Sequence, residues 1–305
     1  MGKIKSYVKQ ESVSANLRPV FIIGCPRTGS KMCMYVLNQC SNIDIMHEIH
    51  FLDPPWLHKD FVCTVKKEVG DLRKDSNIAK LIDLMYSGKL FGAFWKRIDL
   101  NKKKLENAIM NSDRSFRAIF EVLLKEHALS RGKTIPGAKF PVHFSYLPII
   151  LEWFPECKVI HLIRDPRAIY SSQVKARAKD RNSLPQNILI RLKMLVYVNI
   201  IYRWAVRIHK RFEHLDNYYL SRYEDIVAEP GKYVKKLCEF LEIDFQEEML
   251  WPPLINSSYV IRDQTKGFDK EAINRWMQYT SSFSAKLICI LNYKTMKEMG
   301  YLYRF

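Results

Sequence analysis

The apolar residues of the chain occur either in short continuous runs or at helical spacing. The run Val20–Ile23 lies between Pro19 and Gly24, and the segment KVIHLI at 158–163 is the clearest buried strand of the sequence. Short continuous apolar runs are typical of strands that are buried on both faces. A helical pattern follows each run directly, as at residues 32–37 after the first. The two segments therefore predict two strand–turn–helix units.

The same patterns predict further strands and helices along the rest of the chain. We expect strands at 43–46, 133–140 and 218–220, helices near 56–68, 76–88, 102–111, 115–129, 145–154, 230–241 and 284–298, and a basic helical region over 167–212. Asn101 is a predicted N-cap, and Ser112 or Asp113 is the predicted N-cap of the next helix. Strands that alternate with helices indicate an α/β fold with a central parallel sheet. We expect one domain over residues 1–305.

The turn after the first strand has the residues of an anion-binding loop. A strand that enters a helix through a glycine-containing turn directs several backbone N–H groups at one point, and the helix dipole adds positive potential there. Arg27 and Lys31 add two positive charges. Gly24 and Gly29 have the spacing of a Walker A loop, but the order Ser30-Lys31 is reversed relative to that motif. A phosphate cradle and an ordinary βα turn both fit these residues.

Charged residues also stand at the ends of three other predicted strands. Glu48 follows the second strand, Lys139 lies near the end of the third, and Arg164 follows the fourth. In an open parallel sheet, ligands bind beyond the carboxyl ends of the strands. Arg164 is therefore a candidate for a second anion site. Ser171 and Ser172 lie about two turns into the helix that Asp165 caps, so one of their hydroxyls could face the same ligand. Glu48 is either a catalytic carboxylate or an exposed charge, because most glutamates are exposed.

The composition indicates which kinds of molecule the chain binds and where in the cell it is located. Lys and Arg number 49 against 32 Asp and Glu, so the net charge is +17 and predicts anionic partners such as nucleic acid, anionic lipid or a polyanionic substrate. The seven cysteines are scattered without a CxxC pair, which indicates a reducing compartment and a cytoplasmic location. The sequence has no uninterrupted apolar run of about eighteen residues and no apolar leader, so we expect no membrane span and no secretory signal.

Three blocks of the sequence resemble the sulfotransferases that use 3′-phosphoadenosine 5′-phosphosulfate (PAPS) as donor. The blocks are FIIGCPRTGSK at 21–31, VIHLIRDPRAIYSS at 159–172 and KGF…NRW at 266–276, and YLSRYEDI at 219–226 is a weaker fourth. Their arrangement is closer to the tyrosylprotein and bacterial carbohydrate branches than to the cytosolic phenol branch. The resemblance implies an α/β fold of the P-loop NTPase-like three-layer sandwich type, with a central parallel sheet.

The resemblance also implies roles for individual residues. Three would be catalytic. Glu48 would be the general base, Arg27 would stabilise charge on the bridging or leaving oxygens, and Lys139 has the position of a second catalytic lysine. The implied donor-binding residues are Arg27, Thr28, Gly29, Ser30 and Lys31 for the 5′-phosphosulfate, and Arg164, Ser172, Tyr223, Lys266, Gly267 and Arg275 for the 3′-phosphate and adenosine. Lys31 stands where the family often has a hydroxyl residue, so it departs from the pattern.

The resulting primary hypothesis is an enzyme that moves the sulfuryl group of PAPS to an acceptor hydroxyl or amine and releases PAP. The acceptor would be a glycan, a peptide tyrosine or a lipid, and the largely helical segments 51–133 and 175–211 would shape its pocket. Neither a metal ion nor nucleic acid is expected. Two alternatives remain at this stage: a nucleotide kinase or triphosphatase that uses the same loop, and a non-enzymatic polyanion-binding protein that uses the positive charge.

Overall fold

A computed structural model describes residues 17–48, 51–52, 61–90, 95, 98–178, 183–256 and 260–301 of the chain. Five strands form one parallel sheet in the order β2-β3-β1-β4-β5. They are β1 Val20–Gly24, β2 Ile43–Met46, β3 Ile135–Lys139, β4 Lys158–Ile163 and β5 Tyr218–Arg222. Helices flank the sheet, which confirms the predicted α/β fold with a central parallel sheet.

The described helices include those predicted, in the same order, and two short ones, at Tyr223–Ala228 and Trp276–Tyr279, that were not predicted. They are α1 Ser30–Asn38, α2 Phe61–Thr64, α3 Asp75–Tyr86, α4 Lys102–Met110, α5 Phe116–Leu129, α6 Leu147–Trp153, α7 Pro166–Arg177, α8 Leu184–Phe212, α9 Tyr223–Ala228, α10 Pro230–Leu241, α11 Trp276–Tyr279, α12 Ser282–Leu291 and α13 Tyr293–Glu298. Asn101 caps α4 as predicted. The cap of α5 is Ser115 instead of Ser112 or Asp113, because its hydroxyl accepts the N–H of Ala118.

By internal packing the chain divides into two compact units. The first contains residues up to Phe21 and Ser41–Lys158, and the second contains Ile22–Cys40 and Val159–Phe305. The expectation of one domain over 1–305 stays a prediction.

In the first unit, β2 and β3 pair in parallel so that Met46 lies opposite Ala138. Gly137 allows this strand to sit close to its neighbours, because a Cβ there would lie 2.4 Å from the carbonyl oxygen of Val20. Stacked aromatic rings fill the core beside the strands, with the centroids of Phe51 and Phe120 4.6 Å apart. Since the paired strands end together, the residues that follow Met46 and Ala138 lie at the same edge of the sheet.

In the second unit, β4 and β5 pair in parallel with Ile163 opposite Arg222. The next residue of each strand connection is therefore Arg164 on one side and Tyr223 on the other. Gly24, at the end of β1, has a φ of +144°, and a Cβ there would lie 2.3 Å from the carbonyl oxygen of Leu162. A side chain at position 24 would separate the ends of β1 and β4, so the close approach requires glycine.

The structure corrects several of the predicted elements. An antiparallel pair, β6 Pro253–Asn256 and β7 Val260–Lys266, was not predicted, because this part of the sequence has no continuous apolar run. The basic helical region over 167–212 is two helices, α7 and α8, and the helix predicted over 284–298 breaks at Asn292. Residues 56–60 of the helix predicted near 56–68 lie outside the described residues, and α2 continues as a π-helix over Val65–Val69.

One described helix is long and apolar enough to cross a membrane, judged by length and composition. It is α8, with 29 residues and a mean hydropathy of 1.2 in its most apolar window, of which 17% is buried. The expectation of no membrane span is therefore not confirmed. Arg191 and Lys193 interrupt the apolar residues of α8, so the sequence shows no continuous apolar run there.

Candidate active site

The loop between β1 and α1 has a backbone that only a few residue types adopt easily. Gly29, the residue before α1, has a φ of +90°, and Arg27 has a φ of +80° although it is not glycine. A non-glycine residue in this region is strained, and such strain is concentrated at functional sites. A Cβ on Gly29 would lie 2.4 Å from the ring of Tyr223. The sequence therefore needs glycine here for two reasons, the backbone angle and the ring above it.

The N-terminus of α1 carries no side-chain cap. The first N–H groups of a helix have no partner within the helix, and they attract anions together with the helix dipole. Both donors of Thr28 are used within the turn, because its N–H and its hydroxyl donate to the carbonyl oxygen of Cys25 at 3.3 and 2.8 Å.

Burial raises the pKa of the Cys25 thiol, so this thiol stays protonated and is not a nucleophile.

Arg164 connects three parts of the second unit. Its Nη1 donates to the carbonyl oxygen of Arg27 at 3.2 Å, and its Nη2 donates to that of Ala272 at 3.0 Å. Its guanidinium lies 4.0 Å from the centroid of the Tyr223 ring, a cation–π distance. Its Nε is buried and has no hydrogen-bond partner among the described residues. A half-buried guanidinium held in this way still has N–H donors for an anion.

Arg27 and Ser172 are also brought together. The Nη2 of Arg27 donates to the backbone carbonyl oxygen of Ser172 at 3.2 Å, across 145 residues of sequence. The loop after β1 and the helix α7 after β4 are thus joined through both Arg27 and Arg164. The two strand ends that the sequence marks as anion sites lie side by side in this unit. The role of the Ser172 hydroxyl stays a prediction.

A buried network fixes the turn that carries Arg164, and sequence reasoning identified only its cap. Asp165 caps α7, as predicted, and its two carboxylate oxygens also accept hydrogen bonds from the fully buried Arg167. The carboxylate of Glu224 accepts the N–H of Asp165 at 3.0 Å and the hydroxyl of Tyr301 at 2.9 Å. Burial raises the pKa of Glu224. The sequence signal for Arg167 and Glu224 was their position close to Arg164 and Tyr223, and no local signal indicated Tyr301.

The C-terminal segment reaches this cluster through its backbone and its apolar side chains. Phe268 and Ala272 pack against the buried cluster that contains Tyr223, and Met32 of α1 packs there too. Arg275 donates to Asp269, with 2.6 Å between Nη2 and Oδ2, and this contact raises the pKa of its guanidinium.

The positions of Lys266 and Gly267 are less closely tied to the loop. Lys266 ends β7 and is exposed, and no hydrogen bond or ion pair of the described residues links it to Arg27 or Arg164. The N–H of Gly267 donates to the carbonyl oxygen of Pro252 at 2.9 Å. Donor contacts by these two residues stay a prediction, as they do for Lys31, whose amine lies 5.6 Å from the centroid of the Tyr35 ring.

Glu48 and Lys139 form an ion pair in the first unit. The Nζ of Lys139 donates to Oε2 of Glu48 at 3.1 Å, with the lysine side chain 9% exposed and the glutamate side chain 25% exposed. Both residues stand at the carboxyl ends of the paired strands β2 and β3. A lysine ammonium has three donors, so two remain for another acceptor while Glu48 keeps its partner. No cluster of three or more metal-ligating side chains occurs in the described part of the chain.

A model of the sulfotransferase family matches residues 19–247 of the 305 in the chain. The chain belongs to the sulfotransferase family. Most of the residues described above lie within the matched range, from the loop after β1 to the helix α9 that begins with Tyr223. The segment with Lys266, Gly267 and Arg275 lies beyond it.

Two curated proteins are similar to this chain over part of their length. A protein of Aquifex aeolicus with uncharacterised function is 24% identical over 281 residues, which are 86% of this chain and 31% of that protein. The omega-hydroxy-beta-dihydromenaquinone-9 sulfotransferase Stf3 of Mycobacterium tuberculosis is 32% identical over 124 residues, which are 38% of this chain and 31% of that enzyme. The chain thus spans about a third of the length of the curated relatives it matches.

Solved structures of two sulfotransferase domains share the fold. The domain from the Synechococcus PCC 7002 olefin synthase has a TM-score of 0.56 and 21% identity, and the alignment covers 94% of this chain and 99% of that one. The domain from the curacin biosynthetic pathway has a TM-score of 0.55 and 18% identity, with 94% and 99% covered.

Proposed function

We propose that the chain transfers the sulfuryl group of PAPS to an acceptor hydroxyl and releases PAP. The observation that carries this proposal is the position of Arg164, which donates to the Arg27 carbonyl and stacks on the Tyr223 ring that covers Gly29. One guanidinium thereby links two strand ends with anion-binding character. A donor that carries a phosphosulfate and a separate 3′-phosphate needs two such sites close together.

The residues of the second unit fit the donor's anionic groups. The N-terminus of α1 would receive the 5′-phosphosulfate, with Arg27 and Lys31 as cations and Gly29 and Ser30 as backbone donors. The buried Nε of Arg164, which has no partner among the described residues, would donate to the 3′-phosphate. Tyr223 keeps its proton because burial raises its pKa, so its ring and hydroxyl stay neutral beside the donor.

The transfer itself is an in-line displacement at sulfur. The acceptor oxygen forms a bond to sulfur as the bond from sulfur to the bridging phosphate oxygen breaks, and that electron pair leaves on the 5′-phosphate of PAP. The carboxylate of Glu48 takes the acceptor's proton, and the cations Arg27 and Lys139 stabilise the charge that develops on the leaving oxygen. Lys139 also orients Glu48 through the 3.1 Å contact.

The acceptor class that we favour is a hydroxyl carried by a lipid. The mycobacterial relative is named for a hydroxylated menaquinone, which is an apolar molecule with a terminal hydroxyl. The positive net charge of the chain suits acceptors at anionic surfaces.

Binding of PAP, measured by calorimetry with ATP as the comparison, tests the donor site. We expect PAP to bind tightly and ATP weakly, and Arg164→Ala to lower PAP affinity at least tenfold, since charge-assisted hydrogen bonds contribute about 1.5–3 kcal/mol. Arg211→Ala is the matched control, because this arginine is exposed on α8. Equal affinity of wild type and Arg164→Ala for PAP would contradict the assignment.

Transfer from labelled PAPS to a panel of hydroxylated lipids, glycans and tyrosine peptides then identifies the acceptor.

A further inference from the structure

Residues 184–200 of α8 present several large apolar side chains to solvent. Six of them are at least half exposed, and we call them the α8 apolar face: Leu184, Ile188, Leu189, Leu192, Val196 and Ile200. None of residues 183–197 is buried. A contiguous exposed apolar surface of this kind is typical of an interaction site.

Positive charges border this face. At about 100° per residue, the six side chains fall within an arc of about 160° around the helix axis. Arg191 and Lys193 lie at the two edges of that arc, and Arg207, Lys210 and Arg211 are exposed toward the C-terminal end of the helix. The sequence of α8 contains no Asp or Glu. An apolar arc with cations at its edges is the pattern of helices that lie in a lipid headgroup interface.

From Val198 onward, α8 also has side chains that are packed within the second unit. Val198, Tyr202 and Val206 are buried, and the side-chain amides of Asn199 and Asn292 are hydrogen bonded. The Nε of Arg203 donates to Oδ1 of Asn292 at 3.2 Å. A helix that crossed a bilayer would have to break these contacts. The packing therefore favours a helix that lies on a membrane over one that spans it.

The corner between α12 and α13 adds apolar surface next to α8. Ile290 and Tyr293 are 72% and 60% exposed, and they flank the Asn292 side chain that bonds to α8. Tyrosine is enriched at membrane–water interfaces, because its ring is apolar and its hydroxyl is polar.

We propose that the α8 apolar face docks on the surface of an anionic lipid bilayer. Its leucine, isoleucine and valine side chains would enter the boundary between headgroups and acyl chains, while Arg191 and Lys193 would contact lipid phosphates. Self-association is the disfavoured alternative. Each copy has a net charge of +17, and α8 has no acidic residues. A dimer joined through α8 would therefore bring like charges together, which is unfavourable.

Vesicle binding of the full chain tests this proposal. We expect the protein to co-sediment with vesicles of phosphatidylcholine and phosphatidylglycerol, to bind phosphatidylcholine alone far more weakly, and to be released by salt. The double variant Ile188→Gln/Leu192→Gln should bind the mixed vesicles more than tenfold more weakly, because it removes two apolar anchors. Arg191→Gln and Lys193→Gln should each weaken binding by about fivefold, the effect expected for about 1 kcal/mol per charge.

Matched variants distinguish vesicle binding by the α8 apolar face from nonspecific binding through any exposed apolar or basic side chain. Leu129→Gln removes an apolar side chain that is 64% exposed on α5, and Lys103→Gln removes an exposed cation on α4; neither should change vesicle binding by more than about twofold. Calorimetric PAP affinity should be unchanged in every variant, which keeps this proposal distinct from the donor site. Absence of wild-type binding, or equal binding by the double variant, would overturn it. So would a concentration-dependent dimer that the double variant abolishes.

Discussion

The amine of Lys139 and the carboxylate of Glu48 are 3.1 Å apart at the carboxyl ends of two paired strands, although 91 residues separate them in sequence. The register of β2 and β3 sets this pair, because Met46 lies opposite Ala138. Rigid strands hold side chains more firmly than loops do, so the pair has a defined geometry before any acceptor binds.

Replacement of the carboxylate tests its proposed role as general base. Glu48→Gln keeps the size of the side chain but cannot take a proton, so turnover should fall by about 10²–10⁴-fold. PAP affinity should stay within about twofold of wild type, because the loss is confined to the chemical step. Single-turnover transfer from labelled PAPS measures the first quantity and calorimetry the second. Glu68→Gln, at an exposed position, is the control, and wild-type turnover in Glu48→Gln would remove Glu48 from the mechanism.

A double-mutant cycle on Glu48 and Lys139 tests whether the two residues act together. Lys139→Met alone should lower turnover strongly, because it removes a proposed stabilising cation and the partner that orients the carboxylate. The double variant Glu48→Gln/Lys139→Met should be little slower than the slower single variant, since groups that act as a unit are strongly non-additive. Effects on turnover that multiply would show that the two side chains act independently.

A methyl group at position 29 tests the packing of the loop under Tyr223. Gly29→Ala combines an unfavourable φ with a Cβ 2.4 Å from the ring, so the free energy of unfolding should fall by roughly 2–4 kcal/mol. Gly132→Ala is the matched control, because Gly132 also has a positive φ of +68° but nothing lies within 4 Å of its Cβ position. That variant should lose only about 1 kcal/mol. Urea denaturation measures both, and equal losses would contradict the contact with Tyr223.

The stability of the fold should depend on pH through His161. Burial lowers the pKa of this residue from 6.5 to about 3, so the unfolded chain binds a proton below pH 6.5 while the folded chain does not. The free energy of unfolding should therefore fall as the pH drops, by about 1 kcal/mol from this residue between pH 7 and 5.5. His209, whose pKa burial also lowers, acts in the same direction.

Replacing His161 separates its contribution to the pH dependence of stability from the contributions of other titratable groups. His161→Gln lowers the stability at pH 7, because it changes a buried residue that contacts the Tyr218 hydroxyl. Its stability should nevertheless change less between pH 7 and 5.5 than that of wild type. Denaturation curves at the two pH values provide the comparison, and identical pH dependence in both proteins would contradict a neutral buried imidazole.

The sequence predicted β1 and β4 from their concentration of large apolar residues, and Pro19 and Gly24 mark the ends of the first. It predicted Asp165 as a cap for a local reason, since the cap lies next to the helix that it starts. The contacts of Arg164 with Ala272 and of Arg167 with Tyr301 span more than a hundred residues, so no local pattern could predict them. The β6–β7 pair was missed because its strands mix polar and apolar residues without a clear period.

The exposed apolar residues of α8 were interpreted as part of a solvated basic helix, because a local pattern does not show which distant residues pack against it. Helical spacing of Leu, Ile and Val predicts a face that is covered, but it does not say what covers it. The structure leaves Leu192 and Val196 uncovered and buries Tyr202 and Val206 farther along the same helix. Only the packing of the chain distinguishes these two groups of side chains.

The in-register pairing of Ile163 with Arg222 has a consequence for how this family member can vary over evolution. Arg164 and Tyr223 meet because β4 and β5 end at the same level, so inserting or deleting one residue within either strand would turn one partner to the opposite side of the sheet. Strand lengths here should tolerate substitution but resist insertion. Changes in chain length should instead accumulate in the connections that precede these strands.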